Sequence, residues 1–168
     1  MNGSERDCLT EQHLFLFGAT VHWFANYEVL VQRVMARLAG ADLDCVTVLT
    51  RTLDFGQKRL ALLDLLRVKA VPSDQWERVY AYLAVAHGLV SLRDDIAHAN
   101  WVRSPLPHSI QPDWILRPAP AVEPFHEGRR SSDDISYTLY DLSQIVGNLA
   151  DNYDGFLAYL LGAGLVAR

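Results

Sequence analysis

An all-α fold, a four- to five-helix up-and-down bundle with a proline-rich loop or small hairpin before the last helix, is what this 168-residue sequence predicts. Three observations carry that expectation. Apolar residues recur at helical spacing along most of the chain. The interruptions fall on strong breakers, Gly40, Val71-Pro72 and Gly162. Proline concentrates in one stretch, with Pro105, Pro107, Pro112, Pro118 and Pro120 inside residues 101–132, where continuous helix is excluded. Half of the residues are hydrophobic, enough for one real core, so residues 1–168 are expected to form a single helical domain with 101–132 as an irregular insertion.

The first helix is expected from Thr10 to Ala39, about 45 Å long at 1.5 Å per residue. Its apolar positions are Leu14, Phe17, Val21, Phe24, Leu30, Val34 and Leu38, and Gly40 closes it. Asp42 is placed to cap a short helix to about Thr52, with Val46 and Leu49 inward. Asp54 can cap the next, Phe55 to about Lys69, with Leu60, Leu63 and Leu66 inward. Ser73 or Asp74 caps a fourth segment. There Asp74 and Glu77 resemble a capping box, before an apolar run from Val79 to Ile96. In the insertion, Asp113 to Arg117 can form one strand of a hairpin, with Glu127 to Arg130 as an exposed turn. Asp133 or Asp134 caps the last helix, which carries Ile135, Leu139, Leu142, Ile145, Leu149, Phe156 and Leu160 and runs to about Leu161.

The net charge of −5 and pI near 5.6 give no global electrostatic reason for nonspecific nucleic-acid binding, so any RNA contact has to be local. Cys8 and Cys45 are too few for a disulfide framework or a zinc site and read as small buried or incidental thiols in a reducing compartment. Residues Met1 to Asp7 lack the apolar core of an export signal. The stretch Phe156 to Ala167 is about twelve residues long, short of the roughly twenty a bilayer requires. The expectation is a soluble, cytoplasmic protein with no membrane contact.

Reactive groups are densest at Arg93-Asp94-Asp95-Ile96-Ala97-His98, followed by Asn100-Trp101. On one continuous helix at about 100° per residue, Tyr80, His87, Ser91, Asp94 and His98 share a polar stripe. Arg93 lies about 100° from Asp94, beside Tyr82, Ala86, Leu89 and Val90, where a cation is costly unless paired or given a task. One explanation is that Arg93 answers the helix dipole and bonds Asp141 or another acid on the last helix, while His98 terminates its own helix. The other is that two such helices meet, so that Arg93 and His98 from each chain line a shared cleft. Arg103 to His108 repeats the spacing in the loop, so placement rather than spacing singles out the first pair.

Arg93 to His98 resembles the motif of the HEPN superfamily: arginine, a polar residue, three further residues and histidine. Asp94 stands where asparagine is commonest. The resemblance implies a helical, usually dimeric domain with the motif at the dimer interface, acting as a metal-independent endoribonuclease, often a toxin or phage-defence effector held by an antitoxin. Under it, His98 moves the proton of an RNA 2′-hydroxyl and Arg93 grips the phosphorane oxygens. Asp94 orients the imidazole. Asn100, Trp101 and Arg103 are candidate substrate contacts, although Trp101 equally suits a plug at the end of the bundle.

No cofactor or metal is expected. His87, Asp94 and His98 would place the outer imidazoles about 16 Å apart, too far for one ion, and no glycine-rich phosphate loop, nucleophile elbow or Cys-x-x-Cys pair is present. His13, His22, His108 and His126 read as exposed or locally bonded, and Arg117, Arg129 and Arg130 as solvated charge or phosphate contacts. The expected partners are RNA, a second copy of the chain, and an antitoxin or other regulatory protein. Two other functions fit the same sequence: a noncatalytic HEPN-like scaffold that binds a partner, and an unrelated helical bundle that binds a small apolar ligand.

Overall fold

A computed structural model describes residues 8–113 and 135–166. Six helices dominate, α1 (Glu11–Ala39), α2 (Leu43–Thr50), α3 (Phe55–Val68), α4 (Ser73–Gly88), α5 (Val90–His98) and α6 (Leu139–Gly162), with short strands β1 (Asn100–Arg103), β2 (Ser109–Asp113) and β3 (Tyr137–Thr138). The fold class is all-α, as the periodicity predicts. The chain groups into two compact units, residues 1–20 with 91–146, and 21–90 with 147–168, so α1 and α6 each contribute to both.

In the first unit the strands form one antiparallel sheet in the order β1-β2-β3. Trp101 pairs with Pro112 and Arg103 with Ile110, while β3 reaches only Ser109 and Ile110. Pro112 has no N–H to donate and sits beyond the two-residue ladder to β3, a position a proline tolerates. The turn from Ser104 to His108 is closed by the Ser104 N–H on the Ser109 carbonyl and by Ser109 Oγ on the Leu106 carbonyl, with His108 in the left-handed region at φ 57°. The expected hairpin therefore exists with different strands. Asp113 is the last described residue of β2, and residues 114–117 and 127–130, where the expected strand and turn fall, lie outside the described residues.

Around the sheet a core collects Cys8, Leu16, Phe17, Leu92, Trp101, Ile110 and Leu142. Trp101 packs on Phe17 at a centroid distance of 4.6 Å and on Tyr137 at 6.1 Å. Its carbonyl accepts the Cys8 thiol at 3.1 Å. The last helix enters this unit through a reciprocal cap: the Thr138 N–H and hydroxyl donate to Asp141 Oδ2 at 2.8 and 2.7 Å, and the Asp141 N–H donates to Thr138 Oγ1. Those two donors hold the Asp141 carboxyl below its usual range. Ile135 therefore precedes the helix rather than lying within it, and Asp133 and Asp134 lie outside the described residues.

The second unit is held by aromatic packing. Tyr27 and Phe156 stack at 6.4 Å, Tyr82 lies 5.3 Å from Phe156, and Phe24 meets Phe55 edge-on at 5.7 Å. Tyr27 is fully enclosed, and its hydroxyl donates to the Leu149 carbonyl at 3.4 Å and accepts from Asn152 Nδ2 at 2.5 Å. Burial pushes this phenol up to about 12. Lys58, also buried, is paired with Glu28 at 2.5 Å. Asp54 caps α3 through the Gln57 N–H, and the Gln57 side chain returns the bond.

Several inward assignments change. Leu49 of α2 and Leu60 of α3, expected inward, are exposed, as are Leu14 and Val21 in the apolar spacing of α1, because the buried arc of each helix is narrower than its apolar content. Asp42 stands at the N-cap of α2 without a side-chain bond. Pro72, not Ser73 or Asp74, precedes α4, so Asp74 and Glu77 form no capping box. Length and composition alone would let α1 cross a membrane, as they would not the terminal stretch, but 39% of its apolar window is buried within the fold.

Two substitutions test this packing by chemical denaturation. Trp101→Ala should cost about 3–5 kcal/mol, the range for removing a buried aromatic. Thr138→Ala should cost about 1 kcal/mol through loss of a helix cap. A Trp101→Ala cost below about 1 kcal/mol would contradict its place in the core.

Candidate functional site

The continuous fourth helix expected through Ile96 is broken. Gly88 is a poor helix former, and the chain turns at Leu89, whose N–H bonds the Ala86 carbonyl, before restarting as α5. His87 therefore belongs to α4 and Asp94 and His98 to α5, and the expected single polar stripe does not run through both.

The nine residues of α5 bury Leu92 and Asp95, half-bury Arg93, Asp94 and Ile96, and expose Ala97 and His98. Leu92 and Ile96, one turn apart, join the core of the first unit. The Ala99 N–H on the Asp95 carbonyl closes the last turn, and β1 begins at Asn100. His98 thus ends the helix, with its ring in solvent.

Arg93 Nη1 meets Asp94 Oδ1 at 2.9 Å, with 24% and 41% of the two side chains exposed. The dipole explanation placed Arg93 on Asp141 or another acid of the last helix; Asp141 accepts from Thr138, and Arg93 pairs with Asp94 on its own helix. Asp94 Oδ1 accepts from its sequence neighbour Arg93, where the one-turn spacing gives it the His98 imidazole. Five residues separate Arg93 from His98, which sets them about 140° apart around the axis and about 7.5 Å apart along it. One helix therefore does not aim both groups at one phosphate.

Among the proposed substrate contacts, Asn100 and Arg103 are exposed, Arg103 on the edge strand. Trp101 is not available for base stacking, because its ring is sealed between Phe17 and Tyr137 and only 8% is exposed. Its plug role is the one the packing satisfies. Among the described residues no three His, Cys, Asp or Glu side chains gather as a metal could require. An open groove of about 480 Å³ along α4 is lined by Asp74, Glu77, Arg78, Ala81 and Tyr82. With three charged residues in five, that lining does not suit an apolar ligand.

Two buried polar groups escape sequence reasoning. Asp95 is enclosed within the motif itself. His13 is locally bonded, one of the two alternatives expected of it, and is also buried, capping α1. The Thr10 N–H donates to its Nδ1 at 3.1 Å, and the His13 N–H donates to Thr10 Oγ1 at 3.4 Å. Thr10-x-x-His13 is thus a capping box with imidazole in the place of the usual glutamate, which is why a search for Glu or Gln at that position passes over it. Because Nδ1 accepts, the ring proton lies on Nε2, which has no hydrogen-bond partner among the described residues.

Compared with known proteins, the chain matches no family model, no curated protein and no solved structure.

Burial holds the His13 imidazole below 6.5. The native state then binds fewer protons here than the unfolded chain does, so the contribution is fully present above about pH 6.5 and is lost as pH falls through 6.5 and the depressed native value. His13→Gln restores the ordinary Thr-x-x-Gln box and removes the titration. It should match wild type near pH 8 and lose less stability near pH 5, as read from denaturation midpoints. Parallel wild-type and variant curves would show that His13 does not set the acid limb.

Proposed function

We propose that this chain is a metal-independent endoribonuclease of HEPN type, acting in the cytoplasm as a homodimer with a composite site, as a toxin or phage-defence effector under the control of an antitoxin or similar protein. The observation that carries the reading is the divergence of two solvent-reaching groups on α5. Arg93 keeps 24% of its side chain in water and His98 is exposed, and helical geometry sets the two about 140° apart around one short helix. A site built from Arg93 of one copy and His98 of the other uses both without distorting the helix.

In that site His98 takes the proton of the 2′-hydroxyl. The freed oxygen bonds to the adjacent phosphorus, the bond from phosphorus to the 5′-oxygen breaks, and the imidazolium returns its proton to the leaving oxygen. The products are a 2′,3′-cyclic phosphate and a 5′-hydroxyl. Arg93 of the second copy holds the nonbridging oxygens as charge builds on them, its planar fork suiting two parallel bonds. Asp94 holds Arg93 in place, while Asn100 and Arg103, exposed on β1 just beyond His98, are positioned to meet the RNA backbone.

A noncatalytic scaffold is favoured by one observation: the guanidinium is already paired with Asp94, on a chain of net charge −5. The pair is half-exposed, and a phosphate offers the guanidinium two charge-assisted bonds in exchange for it. Cleavage of a panel of structured and single-stranded RNAs separates the readings. Wild type should cleave with chelator present, and His98→Ala should lose at least about a hundredfold in rate with an unchanged melting temperature. Inactivity of the wild type on every RNA would favour the scaffold, and equal rates for wild type and His98→Ala would remove His98 from the chemistry.

A further inference from the structure

Helix α1 carries a face that nothing in the described fold covers. Leu14, Phe15, Val21 and Val29 leave 56%, 72%, 43% and 44% of their surfaces in water. Gly18, His22 and Ala25 between them are exposed as well, and a Cβ placed on Gly18 would meet nothing within 4 Å. At about 100° per residue, Phe15, Gly18, His22 and Val29 fall within about 60° of one another, and Leu14 and Val21 form one shoulder of the strip. The opposite side of the helix holds Phe17 and Phe24, which are buried. The strip therefore points away from the buried side of α1.

The ends of the strip are charged with opposite sign. Glu11 opens it and Arg33 closes it, 22 residues or about 33 Å further on, and both lie within about 20° of His22 around the axis. A second α1 laid antiparallel about a two-fold through His22 sets residue i against residue 44 − i. That register puts Glu11 against the second copy's Arg33 at both ends and Phe15 against its Val29, with the missing side chain of Gly18 giving Asn26 room. The strip is self-complementary in charge and shape, as an isologous interface requires.

We propose that this strip is a self-association surface, on which a second copy of the chain docks with α1 antiparallel to α1. The four apolar side chains alone offer roughly 400 Å² per copy, as large as the functional patches of soluble proteins and about half of the ~800 Å² a standard interface buries on each partner. Gly18, His22, Ala25, Asn26 and the two terminal ion pairs supply the rest. A lipid surface is the weaker occupant: α1 has no lysine, and its two arginines, Arg33 and Arg37, sit near one end, unlike the basic flank of a membrane-lying helix. The surface is separate from α5 and does not depend on the chain cleaving RNA.

Analytical ultracentrifugation of the full chain over a concentration series tests it: with the α5 pairing of the proposed homodimer also present, wild type should pass from two copies to larger species, and loss of the α1 contact should hold it at two. Gly18→Leu adds a side chain into open space, so the monomer should fold at least as well, since glycine is a poor helix former, while docking should weaken by more than about tenfold. Glu11→Arg or Arg33→Glu alone should weaken association about fivefold by replacing two attractions with repulsions, and the double exchange should restore it. RNA cleavage should not change in the charge variants, whereas His98→Ala should alter cleavage and leave the mass alone. A monomeric wild type, association indifferent to Gly18→Leu and to the exchanges, or binding to phosphatidylcholine–phosphatidylserine vesicles in place of self-association would each overturn the proposal.

Discussion

The first unit depends on the burial of Trp101. The indole is clamped between Phe17 of α1 and Tyr137 of β3, and its carbonyl is held by Cys8. Burying a ring of this size removes about 150–250 Å² from water, worth roughly 4–6 kcal/mol at 25 cal/mol per Å². Its Nε1 has no hydrogen-bond partner among the described residues, at a cost of about 1–3 kcal/mol, so packing wins. Trp101 follows His98 by three residues, with the Ala99 N–H closing α5 between them. Fixing the indole therefore fixes the last turn of α5 against the sheet, and with it the position from which His98 meets solvent.

Elements with a local cause were legible in the sequence. The positive-φ Gly40 closing α1, the Asp54 cap of α3 and the end of α6 at Gly162 all follow from residues whose backbone or side-chain chemistry acts within a few positions. Features set by tertiary context were not. A valine or leucine at helical spacing is equally consistent with core and with an uncovered face, so the spacing that points Leu49 and Leu60 inward does not reveal that they are exposed, as Leu14 and Val21 are. Val79 to Ile96 is apolar enough to continue as one helix, and only the turn at Leu89 divides the motif from His87. The β2 strand begins at Ser109 because Arg103 pairs with Ile110, a register that no alternation across Pro105, Pro107 and Pro112 announces.

From Arg93 to His98 the sequence shows which reactive groups cluster but not the bonds they make. Asp94 was assigned to His98 on the strength of one-turn spacing, yet its carboxylate lies on Arg93, the neighbour it can reach without spanning a turn. That bond is half-exposed and weak by the standard of such pairs. It orients the guanidinium at little cost. Asp95, enclosed beside it, was passed over because a burial cannot be read from a run of two aspartates.

The central claim is that the reacting groups come from two chains, and subunit mixing tests it most directly. Arg93→Ala and His98→Ala chains, each inactive alone, would be unfolded together and refolded as a mixture. If each site joins Arg93 of one copy to His98 of the other, half of the dimers carry one intact site of two, so the mixture should recover about a quarter of wild-type cleavage. A mixture that forms mixed dimers yet stays as inactive as its parents would contradict the composite site.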